Sequence, residues 1–246
     1  MSNRRILQLT GEDVLDFLQG LITNDISGLK TGLVYAAMLT PQGKYLSDFF
    51  VVPHADGVLI DVDSAQGDML TQRLNMYRLR ADVSIAEAPL HLHRGTGEAP
   101  QDGFADPRHT ALGWRAYRPA PQTDDTTDWT ALRVAHMIPQ SGVELTQDTF
   151  ILEVGFERLS GVDFRKGCYV GQEVTARMKH KTELRKGLAR VSVEGPAETG
   201  CEITASGKTA GTLLSRSGDR AIAYLRYDRA QGDMQAGEAV VRRLDG

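Results

Sequence analysis

Lys166-Gly167-Cys168-Tyr169-Val170-Gly171-Gln172-Glu173 is the one run in this chain whose composition packing alone does not explain. Two glycines four residues apart let the backbone turn tightly and approach a ligand or another segment closely. A cysteine sits between them. Lys166, with Arg165 before it and Arg177 beyond, surrounds that thiol with cations, which favours the thiolate and makes it a nucleophile or metal ligand. The competing reading is a buried free cysteine in a turn, because free cysteine is among the most buried residue types. Gly171 is not followed by Lys-Ser/Thr, so the run is no phosphate-cradling P-loop.

The charge around this run differs from that of the rest of the chain. Asp163 to Arg190 holds eight Lys/Arg against three Asp/Glu, an excess of +5, so the remainder carries −9 of the net −4. With a pI near 5.9 the protein has no general attraction to nucleic acid. The basic segment is short and lacks interleaved stacking aromatics, so a nucleic-acid partner is not expected. Lys179, His180, Lys181, Arg185 and Lys186 read as a solvated face, or as a surface for the anionic tail of a ligand or an acidic partner. Cys168 and Cys201 are the only cysteines. Two thiols are too few for the usual four-cysteine iron–sulfur ligation or a Cys-rich zinc site, so no metal is expected to be held by this chain alone. Cys201 reads as a structural thiol. His91 and His93 alternate onto one strand face with no third ligand near, and read as surface histidines.

At 246 residues the chain is about 1.6 domains long on a prior of ~150 residues each. Its 41% apolar and 24% charged composition is that of a globular protein. Apolar runs such as Phe49-Phe50-Val51-Val52 fall far short of the ~20 residues a bilayer span requires, and no membrane partner is expected. Met1-Ser2-Asn3-Arg4-Arg5-Ile6-Leu7 lacks a signal or transit character, which reads as a cytoplasmic protein.

Arg4 to Gln8 predicts a strand, followed by a helix capped by Thr10 with Val14, Phe17, Leu18 and Leu21 on one face. Tyr35–Leu39 and Tyr45–Val52 predict a hairpin around Thr40-Pro41-Gln42-Gly43. A strand over Val58–Val62, a helix capped by Ser64 and a strand over Val83–Glu87 follow. Residues 95–128 read as loops around one strand near Gly113–Tyr117, and Thr127–His136 as a helix. From Leu188 onward, short β runs at 8–12-residue spacing predict a small barrel or sandwich.

The octapeptide, followed by Ala176-Arg177, resembles the signature of the YgfZ-type folate-binding proteins and their mitochondrial iron–sulfur assembly relatives, within the superfamily of the glycine-cleavage T-protein, an aminomethyltransferase. Phe17-Leu18-Gln19-Gly20-Leu21, Thr23-Asn24-Asp25, Leu39-Thr40-Pro41-Gln42-Gly43-Lys44 with Asp48, Tyr77-Arg78-Leu79-Arg80 and Ile138-Pro139 extend the likeness over most of the chain. The resemblance implies an α+β fold of three modules around a central opening: residues 1–46 with 122–182, an inserted module over 47–121, and a C-terminal β-barrel over 183–246. It also implies a tetrahydrofolate species in the opening. Asn24, Asp25, Asp48, Lys166, Gly167, Tyr169, Gly171, Gln172, Glu173 and Arg177 become the expected binding residues, with Cys168 the reactive one. Turn-forming or capping roles compete for Asn24 and Asp25, and loop-fixing roles for Gln172 and Glu173.

Two departures separate the chain from the transferases. Where T-proteins carry an Asp-Asp pair, this sequence has Ser47-Asp48, and the serine occupies the catalytic position; a hydroxyl is no base near neutral pH. Leu132-Arg133-Val134-Ala135 resembles a stretch whose final glutamate holds the pteridine ring, and Ala135 offers no acceptor. Both argue against aminomethyl transfer. The expectation is an accessory factor in iron–sulfur cluster assembly, delivery or repair, linked to tetrahydrofolate and acting on scaffold or carrier proteins and client apo-proteins through one cysteine. The alternative is a folate-dependent one-carbon transferase.

Overall fold

The structure is a computed structural model that describes residues 3–181 and 183–244, Lys181 for its backbone alone. The side chain of Lys181 and the expected border at 182/183 therefore lie outside the described residues. The chain divides into two compact units, Met1–Thr127 with Phe156–Ala176 and Asp128–Gly155 with Arg177–Gly246.

In the first unit, β1 (Arg4–Thr10), β2 (Val34–Leu39), β3 (Tyr45–His54), β4 (Gly57–Asp63) and β5 (Ser84–Glu87) form an antiparallel sheet in the order β2-β3-β4-β1-β5. Leu7, Leu9, Val34, Ala36, Met38, Phe49, Val51 and Ile60 share a core with residues of two helices, α1 (Val14–Gln19) and α2 (Ser64–Arg78), which contribute Val14, Leu18, Leu70 and Leu74. β2 is buried at every position and β3 at most of its length. That departure from simple alternation arises because the opposite sheet face is covered as well.

The covering layer is a small sheet of β6 (His91–Gly95), β7 (Phe104–Ala105) and β8 (Trp114–Arg118), ordered β6-β8-β7. Between the layers lies a charged network. Asp61, fully buried, accepts from Arg4 Nε at 2.5 Å, Arg115 Nη2 at 2.5 Å and the Tyr117 hydroxyl at 2.9 Å. Asp106 accepts from Arg108 at 2.7 Å and Arg115 at 3.3 Å, and the Arg115 guanidinium lies 3.9 Å from the centre of the Phe50 ring. Buried charges require such partners, since desolvation of an unpaired ion costs several kcal/mol. The border expected at 46/47 falls inside β3, in a sheet whose ladders join β1 to β4 and β2 to β3.

The second unit contains α3 (Trp129–His136) and a closed barrel ordered β10-β11-β12-β9-β14-β13, built from β9 (Lys186–Glu194), β10 (Glu202–Ala205), β11 (Lys208–Ser217), β12 (Arg220–Arg226), β13 (Asp233–Ala236) and β14 (Ala239–Arg243). Ala189, Ala210, Ala221, Ala223, Ala236 and Ala239 alternate with Val191, Ile203, Leu213, Leu225 and Val241 in its core. Small residues among large ones let six strands close with a filled interior. The division between the units falls within α4 (Gln172–Lys181).

Several local expectations are corrected. Thr10 belongs to β1 and the residue before α1 is Asp13; Asp63 caps α2, accepting from Ala65 N at 3.0 Å, while Ser64 begins the helix. A carboxylate one residue upstream outcompetes a hydroxyl because it accepts the orphan amides of the first turn more strongly. β7 and β13 depart from what the sequence pattern predicts. Phe104–Ala105 spans two residues and Asp233–Ala236 is half polar, so neither carries a strand-length apolar pattern. Among the described residues no helix is long and apolar enough to cross a membrane.

Candidate functional site

Cys168 is exposed, on the loop that leads into α4. Three sets of contacts within the first unit fix that loop. The first is a hydrogen-bond ladder to the segment after α1. Asn24 Nδ2 donates to Ser160 O at 2.7 Å and Tyr35 O at 2.8 Å, Thr23 Oγ1 donates to Gly161 O at 2.6 Å, and Asp163 N donates to Thr23 O at 3.1 Å. Thr23 also accepts from Ala37 N at 2.9 Å, so one buried hydroxyl bridges β2 and the incoming loop.

The second anchor is Lys166. Its Nζ donates to Gln19 O at 2.6 Å, a carbonyl that the end of α1 leaves without an intrahelical partner, and to Ile22 O at 2.5 Å in the segment just beyond. Burial pushes this amine down to about 8, against the upward pull of Asp25 and Asp163. The Tyr169 ring centre lies 5.0 Å from Nζ, and burial raises the Tyr169 hydroxyl, with Thr175 pulling the other way. The Lys166 amine is thus committed to main-chain carbonyls, a role that its place beside the cysteine does not announce. The cation that flanks Cys168 and stays exposed is Arg165, held by its own backbone amide at 2.6 Å from Asp163 Oδ1.

The third anchor is Gly171, at φ +84, where a Cβ would stand 2.6 Å from Thr40 O and 3.2 Å from Gly43 Cα. The β2–β3 turn and the start of α4 meet there backbone to backbone. Gly167 is different: nothing lies within 4 Å of the position a Cβ would take, so the close approach expected of both glycines belongs to Gly171 alone. Gln172 and Glu173 open α4, where an acidic side chain complements the positive end of the helix dipole. Arg177 lies exposed in the second unit.

The remaining expected binding residues are turned to internal use. Asp48 is buried, its Oδ2 accepting from the Tyr35 hydroxyl at 3.0 Å and Oδ1 from the Tyr45 hydroxyl at 2.6 Å. Burial, then the Asp48 charge, raises the Tyr35 hydroxyl, which keeps its proton. Ser47 is buried too, donating to Gln66 Oε1 at 2.9 Å. Asp25 caps the 3-10 turn Ile26–Lys30 by accepting from Ser27 N at 2.8 Å, a bond that holds its carboxyl low. Asn24 and Asp25 line a cleft of about 590 Å³ with Ser27, Tyr35, Ser160 and Arg165, while Cys168 is not among its lining residues. In the second unit, Ala135 presents its carbonyl to Arg190 Nη1 at 2.9 Å. No group of three His, Cys, Asp or Glu stands together as a metal site among the described residues.

Residues 185–244 match the C-terminal β-barrel domain family of CAF17. The glycine cleavage system aminomethyltransferase T from Bartonella henselae shares the fold, with a TM-score of 0.79 over 100% of this chain and 83% of that one, at 13% identity. A relative in Pyricularia oryzae, named iron-sulfur cluster assembly factor IBA57 homolog, mitochondrial, is 31% identical over 93% of this chain and 71% of its own length. The mouse protein, iron-sulfur cluster assembly factor IBA57, mitochondrial, is 30% identical over 95% and 78%. The chain belongs to the IBA57 family. The human IBA57 protein is 28% identical over 95% of this chain and 78% of its own length. The fold is accordingly T-protein-like, a mixed α/β assembly ending in a closed six-stranded barrel. The names of these IBA57 relatives support a role in iron–sulfur cluster assembly. They also overturn the cytoplasmic expectation, since all three are named mitochondrial.

Thr23 is the residue of this site that the sequence named only as part of a motif, and Gln19 and Ile22 contribute carbonyls, which no side-chain pattern could announce.

Proposed function

We propose that this chain takes part in iron–sulfur cluster assembly by lending Cys168 as one ligand of a cluster that a carrier or scaffold protein holds with its own residues. The observation that carries the reading is an exposed thiol on a loop tied down on both sides, in a chain of the IBA57 family. Rigid presentation favours ligand exchange, because a pre-placed donor loses little freedom on binding. In that exchange the Cys168 thiolate forms an iron–sulfur bond as one carrier thiolate leaves its iron, and no electron changes hands. Client apo-proteins then receive the cluster. Two free cysteines, with Cys201 packed against the barrel core, limit the chain to a share in such a cluster.

Tetrahydrofolate fits this chain's residues poorly. Asp48 and Asn24 spend their side chains on Tyr35, Tyr45 and Ser160, and Ser47 and Ala135 supply no carboxylate. The reading therefore runs through Cys168, with no step assigned to folate. The test is a Cys168→Ser chain expressed in cells lacking their own copy: activity of cluster-dependent enzymes should fall to the level of the deletion. Full rescue removes the proposal. Purified protein that turns over an aminomethylated or methylated donor with tetrahydrofolate would restore the transferase reading in its place.

A further inference from the structure

We propose that Lys166 is a positioning residue, which sets the place of the Cys168 thiol by locking its loop onto the end of α1. This inference rests on the reading of Cys168 as the working thiol and adds how that thiol is held. Lys166 is buried while its neighbours Arg165, Gly167 and Cys168 are exposed. Its side chain thus runs inward beneath the loop that carries the thiol outward. Its Nζ donates to the carbonyl of Gln19, the last residue of α1, and to that of Ile22 three residues beyond, 147 and 144 positions away in sequence.

A lysine is suited to this task. Its Nζ carries three hydrogens when charged and two when neutral, so it satisfies both Gln19 O and Ile22 O in either protonation state. The charged groups that bear on it are Asp25, from the turn after α1, and Asp163, from the loop itself. Methionine would fill the same channel and leave both carbonyls without a donor, a loss that falls on the loop rather than on the thiol.

The experiment uses the full chain carrying Cys201→Ser, so that Cys168 is the single thiol, with a nitroxide spin label attached there. The parent should give the broad electron paramagnetic line shape of a restrained label. Lys166→Met should narrow it, and Lys166→Arg, whose guanidinium donates to two acceptors, should restore the breadth. Alongside, unlabelled protein is alkylated with iodoacetamide across pH. A positioning residue leaves the midpoint of that pH–rate profile where the parent has it, whereas a thiolate-stabilising lysine shifts the midpoint upward on removal. An unchanged line shape in Lys166→Met, or a shifted midpoint, overturns the proposal. If Lys166→Met does not fold, Lys166→Gln is read by the same two criteria. Neither readout involves a cluster, so a failed Cys168→Ser test in cells removes the assembly reading and leaves this result standing.

Discussion

Gly43 and Gly171 touch backbone to backbone. A Cβ on Gly171 would lie 3.2 Å from Gly43 Cα and 2.6 Å from Thr40 O, and both glycines hold positive φ, +75 and +84. The Cys168 loop ends on this contact. Gly171→Ala should therefore destabilise the first unit by about 2 kcal/mol or more, from an unfavourable φ combined with the clash. Gly167→Ala, with open space and no positive φ, should be neutral or stabilise by up to about 1 kcal/mol. Urea unfolding of the two variants checks the contrast, and equal effects would show that the contact does not hold the loop.

Asp61 gives the chain a pH dependence of known sign. Burial pushes its carboxyl up, but the guanidinium groups of Arg4 and Arg115 together outweigh this and hold it at about 2. Its unfolded value is near 3.9, so the unfolded state binds the proton more readily. The contribution is present above about pH 4 and lost as pH falls towards 2, on the order of 2 kcal/mol. Stability curves at pH 2.5 and pH 5 should differ less in Asp61→Asn than in the parent. That variant should also lose about 3–5 kcal/mol at pH 7, because it leaves the buried Arg115 and the partly buried Arg4 short of countercharge.

Tyr35→Phe removes the hydroxyl that faces Asp48 Oδ2. A buried carboxylate oxygen left without that donor should cost about 1–3 kcal/mol. The rate of Cys168 alkylation should stay at the parental value, since the hydroxyl removed serves Asp48 while the Tyr35 carbonyl that shares Asn24 with the thiol's loop is kept. A changed rate would indicate that Asp48 serves the site after all.

Thr23→Val keeps the shape of the side chain and deletes the hydroxyl shared by Gly161 O and Ala37 N. The expected loss is about 2–4 kcal/mol, the sum of two buried groups left unsatisfied, and Thr23→Ser should recover most of it. Thermal unfolding of the pair reads this directly, and a stable Thr23→Val protein would contradict the ladder described above.

Much of the architecture was legible before the structure, because the hairpin around Pro41 and Gly43, the apolar spacing in α1 and α2 and the short β runs after Leu188 are local patterns. Residue roles at the site were legible only in part. Asp48 reads in sequence as a lone strand carboxylate, a type depleted from strands and so suggestive of function. Its actual partners, Tyr35 and Tyr45, come from a neighbouring strand and from its own, and only the register reveals that pairing. Lys166 is legible only in part for a related reason. Its position beside Cys168 invites an electrostatic role, yet a long flexible stem can carry a charge to a distant acceptor, here at the end of α1. Helix α4 is hard to foresee because a glycine, Gly171, stands before it in place of a residue with a capping side chain and its apolar residues, Val174 and Met178, are few.

The ladder from Thr23 and Asn24 to Ser160, Gly161 and Asp163 has a kinetic meaning. Its hydrogen bonds close loops of 136 and 138 residues, and contacts so far apart in sequence form slowly and late in folding. During synthesis the eight strands β1 to β8 and the helices α1 and α2 have all been made well before the ribosome reaches Ser160. Until that segment arrives and docks, Cys168 has no fixed address. A chain that displays its thiol at a defined point has therefore already finished folding its first unit, and an accessible but wandering thiol marks a copy that has not.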